Sequence, residues 1–188
     1  FRDFEITWMT TVNTLLKARP IAGQTELGAA FLSDLRPFIW RRYFDYAAIS
    51  DIHAMKRQIH AVRGHAEVVV PGHDVKLGRG GIREIEFFVQ TQQLIFGGRR
   101  PELRGRRTVD MLAALAADNW VSPQARDELT ESYAVLRTVE HRLQMIADEQ
   151  TQRLPSDDKE LARFAKFCGH TTYKKFETWL TKHFRTVQ

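Results

Sequence analysis

Between residues 74 and 87 the chain runs Asp74-Val75-Lys76-Leu77-Gly78-Arg79-Gly80-Gly81-Ile82-Arg83-Glu84-Ile85-Glu86-Phe87, and no other stretch limits its fold so tightly. A short apolar segment meets a lysine, three glycines follow within four residues, and a helical apolar period starts at once with Ile82. The pattern predicts a strand, a tight turn and a helix in direct succession. Glycine reaches backbone conformations closed to other residues and lets a second backbone come close. A helix start presents unpaired N–H groups and partial positive charge. With Lys76, Arg79 and Arg83 around the same turn, the segment has the composition of a phosphate cradle. A strand-to-helix joint needs the same glycines for shape alone, so composition leaves both readings open.

The rest of the chain is mostly helical in pattern. A first helix is expected over about residues 3–18, with Phe4, Trp8, Val12, Leu15 and Leu16 at helical spacing and a stop before Pro20. A short second helix is expected from Thr25 to Leu32, and Pro37 suits the first turn of a third. Another is expected over about 51–62, capped by Ser50 or Asp51 and closed by Gly64. Val68–Val70 and Val75–Leu77 read as two short strands around a Pro71-Gly72-His73-Asp74 turn.

From Ile82 a helix runs to Gly97-Gly98, and Thr108 is expected to cap the next, which ends at Asn119. Ser122-Pro123 opens the longest, reaching about Glu149 with Leu129, Tyr133, Leu136, Leu143 and Ala147 on one face. Ser156 caps a further helix to Phe167, Gly169 breaks it, and Thr171 or Thr172 starts the last. Helices of this length joined by short loops favour an up-and-down bundle, so the fold class is mainly α.

The balance of 43% hydrophobic and 27% charged residues is that of a globular protein. No apolar stretch is long enough to span a bilayer and no signal-peptide pattern opens the chain, which points to the cytoplasm. Cys168 is the single cysteine, so no intrachain disulfide or thiolate metal set can form. Phe1 falls inside a helical pattern without an initiating methionine, as in a piece of a longer protein. The net charge of +5 gathers in a loop with Arg99, Arg100, Arg104, Arg106 and Arg107. A nucleotide, an acidic protein surface and nucleic acid compete to explain that loop.

Among candidate chemical groups, Glu84 and Glu86 stand two residues apart on a helix. They point about 200° from each other and cannot share one metal. Glu84 suits the positive helix start. Arg83 opposes it, so it calls for a bound anion or an acidic partner. Glu140 falls on the apolar seam between Leu136 and Leu143 and needs a partner, with Arg83, Arg137 and His141 as candidates. His53, His60, His65, His73, His170 and His183 share no metal-ligand spacing, and His141 reads as structural. Trp40, Arg41, Arg42 and Tyr43 could clamp a nucleotide or cover a helix interface.

The particular string is more specific than its composition. Lys76-Leu77-Gly78-x-Gly80-Gly81-Ile82-Arg83-Glu84-Ile85-Glu86-Phe87 resembles the signature segment of the bacterial glutamine synthetase adenylyltransferase family, whose members are bifunctional adenylylating and adenylyl-removing enzymes. Matching pieces upstream are Lys17-Ala18-Arg19-Pro20, the run Arg36 to Tyr43, and Met55-Lys56-Arg57-Gln58-Ile59. Downstream come the run Gln93 to Arg99, Leu136-Arg137-x-x-Glu140-His141-Arg142-Leu143-Gln144, and Asp148-Glu149-Gln150-Thr151-Gln152-x-Leu154-Pro155. The resemblance covers nearly the whole chain and weakens after Pro155.

The resemblance implies that residues 1–80 are the C-terminal part of an α/β nucleotidyltransferase domain and 81–188 its helical bundle, joined near Gly80-Gly81. It implies reversible modification of a tyrosine on glutamine synthetase, with ATP attaching AMP, orthophosphate removing it as ADP, and magnesium as the metal. Glutamine synthetase and the PII signal protein are the implied partners of the intact enzyme, with no role for nucleic acid or membrane. Lys76, Gly78, Gly80, Gly81 and Arg83 would face the nucleotide or phosphate, with Glu84, Glu140 and His141 in supporting places. The family's metal-binding carboxylates follow a Gly-Ser turn as Asp-x-Asp, and this chain has no such pattern. They are expected upstream of Phe1, so no catalytic or metal-ligating residue is assigned and the piece alone is expected to be inactive. The Asp148–Pro155 string and the Phe38–Tyr43 segment look more like the N-terminal, adenylyl-removing half. A PII uridylyltransferase-like enzyme is the nearest alternative, and a non-catalytic helical module docking through the arginine loop is another.

Overall fold

The computed structural model describes residues 15–42 and 68–188. The helix expected over 51–62, most of the one over 3–18, and the pieces at Tyr43 and Met55–Ile59 lie outside the described residues. Within them the protein is helical: α1 (Thr25–Ile39), α2 (Ile82–Phe96), a 3₁₀ turn (Pro101–Leu103), α3 (Thr108–Ala117), α4 (Pro123–Ala147), α5 (Asp158–Phe167) and α6 (Tyr173–Val187).

α1 is one helix where the sequence reads as two. Ser33 and Asp34 stay on its exposed side and do not cap, and Pro37 lies inside it. A proline two residues from the end removes a single ladder bond, which a helix about to stop tolerates. Thr108 begins α3 without capping it, because it is buried and its hydroxyl accepts a hydrogen bond from Lys17 Nζ at 3.2 Å. Asp157 rather than Ser156 caps α5, its carboxylate accepting from the Lys159 and Glu160 N–H groups. Ser122 and Thr172 cap α4 and α6 through their hydroxyls, as read from sequence.

Neither expected strand forms. Val75–Leu77 is a turn, and Asp74 makes only an isolated antiparallel bridge with Arg153. The Asp74 carboxylate accepts from the Lys76 and Leu77 N–H groups at 3.0 and 2.7 Å, taking donors that a strand ladder would use.

The chain divides into two compact units that interleave in sequence, Phe1–Val62 with Phe88–Val121, and Arg63–Phe87 with Ser122–Gln188. α2 runs through the division. In the first unit Leu103, Leu112 and Leu115 are fully buried, and Gln93 Nε2 donates to the Leu103 and Gly105 carbonyls, each at 2.7 Å. Phe96 and Trp120 stack at 3.8 Å.

In the second unit α6 packs on α4 and α5. The core face of α4 is Ser132, Leu136, Val139, Glu140 and Leu143, while Leu129 and Tyr133 are only half-buried. Phe164 meets Phe176 edge to face with ring centres 5.7 Å apart. These rings and Phe184 are fully buried, and each contributes roughly 1.5–3 kcal/mol through removal from water.

Candidate functional site

The glycine-rich run folds as a closed turn in the second unit. Gly78 N–H donates to Asp74 O at 2.8 Å, Gly81 N–H to Gly78 O at 3.0 Å, Ile82 N–H to Val75 O at 3.0 Å and Arg83 N–H to Lys76 O at 3.0 Å. Gly80 N–H donates to the Glu84 carboxylate at 3.1 Å, so the third residue of α2 reaches back over the helix start. The chain's own carboxylate therefore takes one of the donors that an external anion would seek.

Two further segments frame the turn. Gly72 N–H, Leu154 N–H and Val75 N–H form backbone bonds between 72–75 and 152–155, at 3.1, 2.9 and 2.9 Å. This sets the Asp148–Pro155 string beside the Lys76–Phe87 string, although the two are far apart in sequence. On the other side Gly80 has φ +75°, and a Cβ there would collide with the Phe184 carbonyl of α6. Only glycine meets both demands without strain.

His73 is the residue that sequence reasoning passed over. Its Nε2–H donates to the Arg79 carbonyl at 3.1 Å, and its ring tilts against Phe184 at 4.4 Å. Burial, the largest influence, holds its imidazole below the ordinary range, against the opposing effects of the Arg79 carbonyl and Asp74. The only sequence signal was its place in the Pro71–Asp74 turn, because a histidine without ligand spacing gives no other.

Two of the three cations around the turn, Lys76 and Arg83, have carboxylate partners, and Arg79 is exposed. Lys76 Nζ lies 3.3 Å from Glu140 Oε1, and Arg137 Nη1 donates to the other Glu140 oxygen at 2.8 Å. Glu140 is 2% exposed, so this pairing answers the cost of burying its charge. Of its three candidate partners Arg137 alone is used, and Lys76 is the addition. Arg83 Nη1 meets Glu86 Oε2 at 3.4 Å, and Tyr133 donates to the other Glu86 oxygen at 3.2 Å. Arg83 remains half-exposed and Lys76 one-third exposed. His141 is exposed on α4 and stands apart from this cluster. Among the described residues no three His, Cys, Asp or Glu side chains gather as a metal set that would fit magnesium.

In the first unit the arginine loop is tied into the fold. Arg99 Nε donates to the Arg42 carbonyl at 3.0 Å, and Arg100 bridges Glu102 and Asp118. Arg104 donates to the Gly97 and Gly98 carbonyls at 2.6 and 3.3 Å, and its guanidinium lies 5.7 Å from the Trp40 ring centre. A Cβ at Gly97 would meet that same indole at 2.6 Å, so Trp40 covers the end of α2. This loop was the basis of the docking-module alternative, and most of its charge is used internally.

Residues 51–188 match the family described as GlnD PII-uridylyltransferase. The chain belongs to that family. Individual relatives carry another name. A bifunctional glutamine synthetase adenylyltransferase/adenylyl-removing enzyme of Mesorhizobium japonicum is 64% identical over 155 residues, 82% of this chain and 16% of the relative. Proteins of the same name from Brucella melitensis and Rhodopseudomonas palustris are 59% and 56% identical over 86% and 93% of the chain. The chain spans 16 to 18% of the length of these curated relatives. No helix among the described residues is long and apolar enough to cross a membrane.

Proposed function

We propose that the chain is part of an enzyme that reversibly adenylylates a tyrosine of glutamine synthetase, attaching AMP from ATP and removing it with orthophosphate to give ADP. The observation that carries this reading is 64% identity over 82% of the chain to a relative named for both activities. Backbone bonds tie the residues leading into the signature string to the Asp148–Pro155 string, which supports a shared role. On this reading residues 1–80 complete a nucleotidyltransferase domain and 81–188 form its helical bundle, in the adenylyl-removing half of a cytoplasmic enzyme. Magnesium ligands lie elsewhere in the intact enzyme, PII regulates it, and the 188-residue piece alone does not turn over.

At the turn, Lys76 and Arg83 face phosphate through their side chains, while Gly78, Gly80 and Gly81 shape the backbone that carries them. Each cation would exchange part of a carboxylate contact for a phosphate oxygen, keeping a charge-assisted bond throughout. The family description favours one other reading, uridylylation of PII. The full-length enzyme is incubated with glutamine synthetase, labelled ATP and magnesium, and in parallel with PII and labelled UTP. AMP on a glutamine synthetase tyrosine, released as ADP by orthophosphate, supports the proposal. Label on PII alone overturns it.

A further inference from the structure

Among the described residues most arginines of the loop engage neighbouring carbonyls or carboxylates, but the cations of α6 do not. A helix turns about 100° per residue, which puts Lys174, Lys175, Lys182 and Arg185 within one arc of roughly 100°. The opposite side carries the fully buried Phe176, Leu180 and Phe184. All four cations are exposed. Ion pairs among the described residues engage Lys76, Arg83, Arg100, Arg107, Arg126 and Arg137, and none of these four.

Helix stability does not explain the cluster. The first turn of α6 contains no acid, so Lys174 and Lys175 sit at the end where the dipole disfavours cations. Lys182 and Arg185 are like charges one turn apart. The helix's acid, Glu177, accepts from the Tyr173 hydroxyl at 2.9 Å. The face is an open surface formed by α6 alone. It includes Trp179, half-buried and held from within by His170, Phe176 and His183. Exposed cations beside a braced aromatic ring suit a partner with carboxylates next to an apolar contact.

We infer that this face of α6 docks an acidic surface segment of the protein substrate. The inference rests on the adenylyltransferase reading, under which a folded protein must be held while one side chain is modified. Charge complementarity selects the acidic chemistry, and the reading selects protein over nucleic acid.

The test uses full-length enzyme carrying Lys175→Glu, Lys182→Glu and Arg185→Glu together. The expected result is a rise of about tenfold or more in KM for glutamine synthetase at low salt, because charge pairs set encounter and register. The kcat and the KM for ATP stay as in the unsubstituted enzyme, and the glutamine analogues of the same residues give an intermediate KM. Added salt raises the unsubstituted enzyme's KM and leaves the variant's nearly flat. An active variant with unchanged KM for glutamine synthetase overturns the docking face and leaves the functional reading standing. Loss of thermal stability with a rise in both KM values also overturns it, showing that the enzyme's own remaining chain covers α6. Lost affinity for a single-stranded oligonucleotide with an unchanged protein KM overturns it in favour of nucleic acid. If the unsubstituted enzyme does not modify glutamine synthetase, the functional reading fails first and the docking role falls with it.

Discussion

The two ends of α2 pose the same problem with opposite sign and are solved with opposite charges. At its start unpaired N–H groups carry partial positive charge, and the Glu84 carboxylate bonds Gly80 N–H. At its finish unpaired carbonyls carry partial negative charge, and the Arg104 guanidinium bonds Gly97 O and Gly98 O. The finish is a completed cap, closed over by Trp40. The start keeps a surplus, since Arg83 opposes the dipole and stays half-exposed. The fold engages Arg104 at the finish through two carbonyls and Arg83 at the start through Glu86 alone.

The comparison is most exposed to failure at Gly80. Gly80→Ala meets both a positive φ and the Phe184 carbonyl, neither of which a flexible side chain can relieve. A loss of about 3 kcal/mol or more is expected from combined backbone strain and overpacking. Urea unfolding of the chain measures it, and a loss below about 1 kcal/mol would mean that the turn does not press on α6.

Arg104→Ala at the other end should cost about 2–3 kcal/mol, removing two charge-assisted bonds and the contact with Trp40. Arg104→Lys recovers only part, because a lysine cannot present the planar fork. If the lysine variant matches the wild type in urea, the end needs only a positive charge. At the start Glu84→Ala should cost about 1 kcal/mol, the scale of a lost helix cap. Glu84→Gln should cost a few tenths, since it keeps an acceptor and loses only the dipole interaction. Equal losses for the two Glu84 variants would place the whole effect in charge.

Helix starts at Ser122 and Thr172 were legible because hydroxyl caps are local chemistry, and the stop at Gly169 because that glycine has φ +85°. The strand at Val75–Leu77 was misread because apolar alternation carried no sign that Asp74 would capture two backbone donors. The break in α1 was misread because Ser33, Asp34 and Pro37 are breakers only where the helix cannot expose them. At the candidate site the ingredients and the local Arg137–Glu140 pair were legible, and the pairings that depend on the closed turn were not. Lys76 reaches Glu140 across sixty-four residues, and His73 reaches Arg79 O only after the turn closes. The arginine loop stayed open in the sequence because net charge does not reveal which guanidinium groups already hold carbonyls.

The smallest expected effect distinguishes the two units by acid. The unit holding the start of α2 contains two imidazoles kept below their ordinary range, foremost by burial: His73 against Phe184, and His183, whose Nδ1 lies 3.1 Å from Ser132 Oγ between α4 and α6. The described residues of the other unit contain no histidine. An imidazole with a folded pKa below its unfolded value binds more protons in the unfolded state. Its contribution is fully present above the ordinary value of 6.5 and is lost as pH falls from there through the folded pKa. Hydrogen exchange at pH 8 and pH 5.5, corrected for intrinsic rates, should show protection in α6 falling on acidification while α3 changes less. His73→Gln together with His183→Gln should flatten that difference even where it lowers stability at both pH values. Equal loss of protection in α3 and α6, or a pH dependence untouched by the double variant, would assign the acid response to other groups.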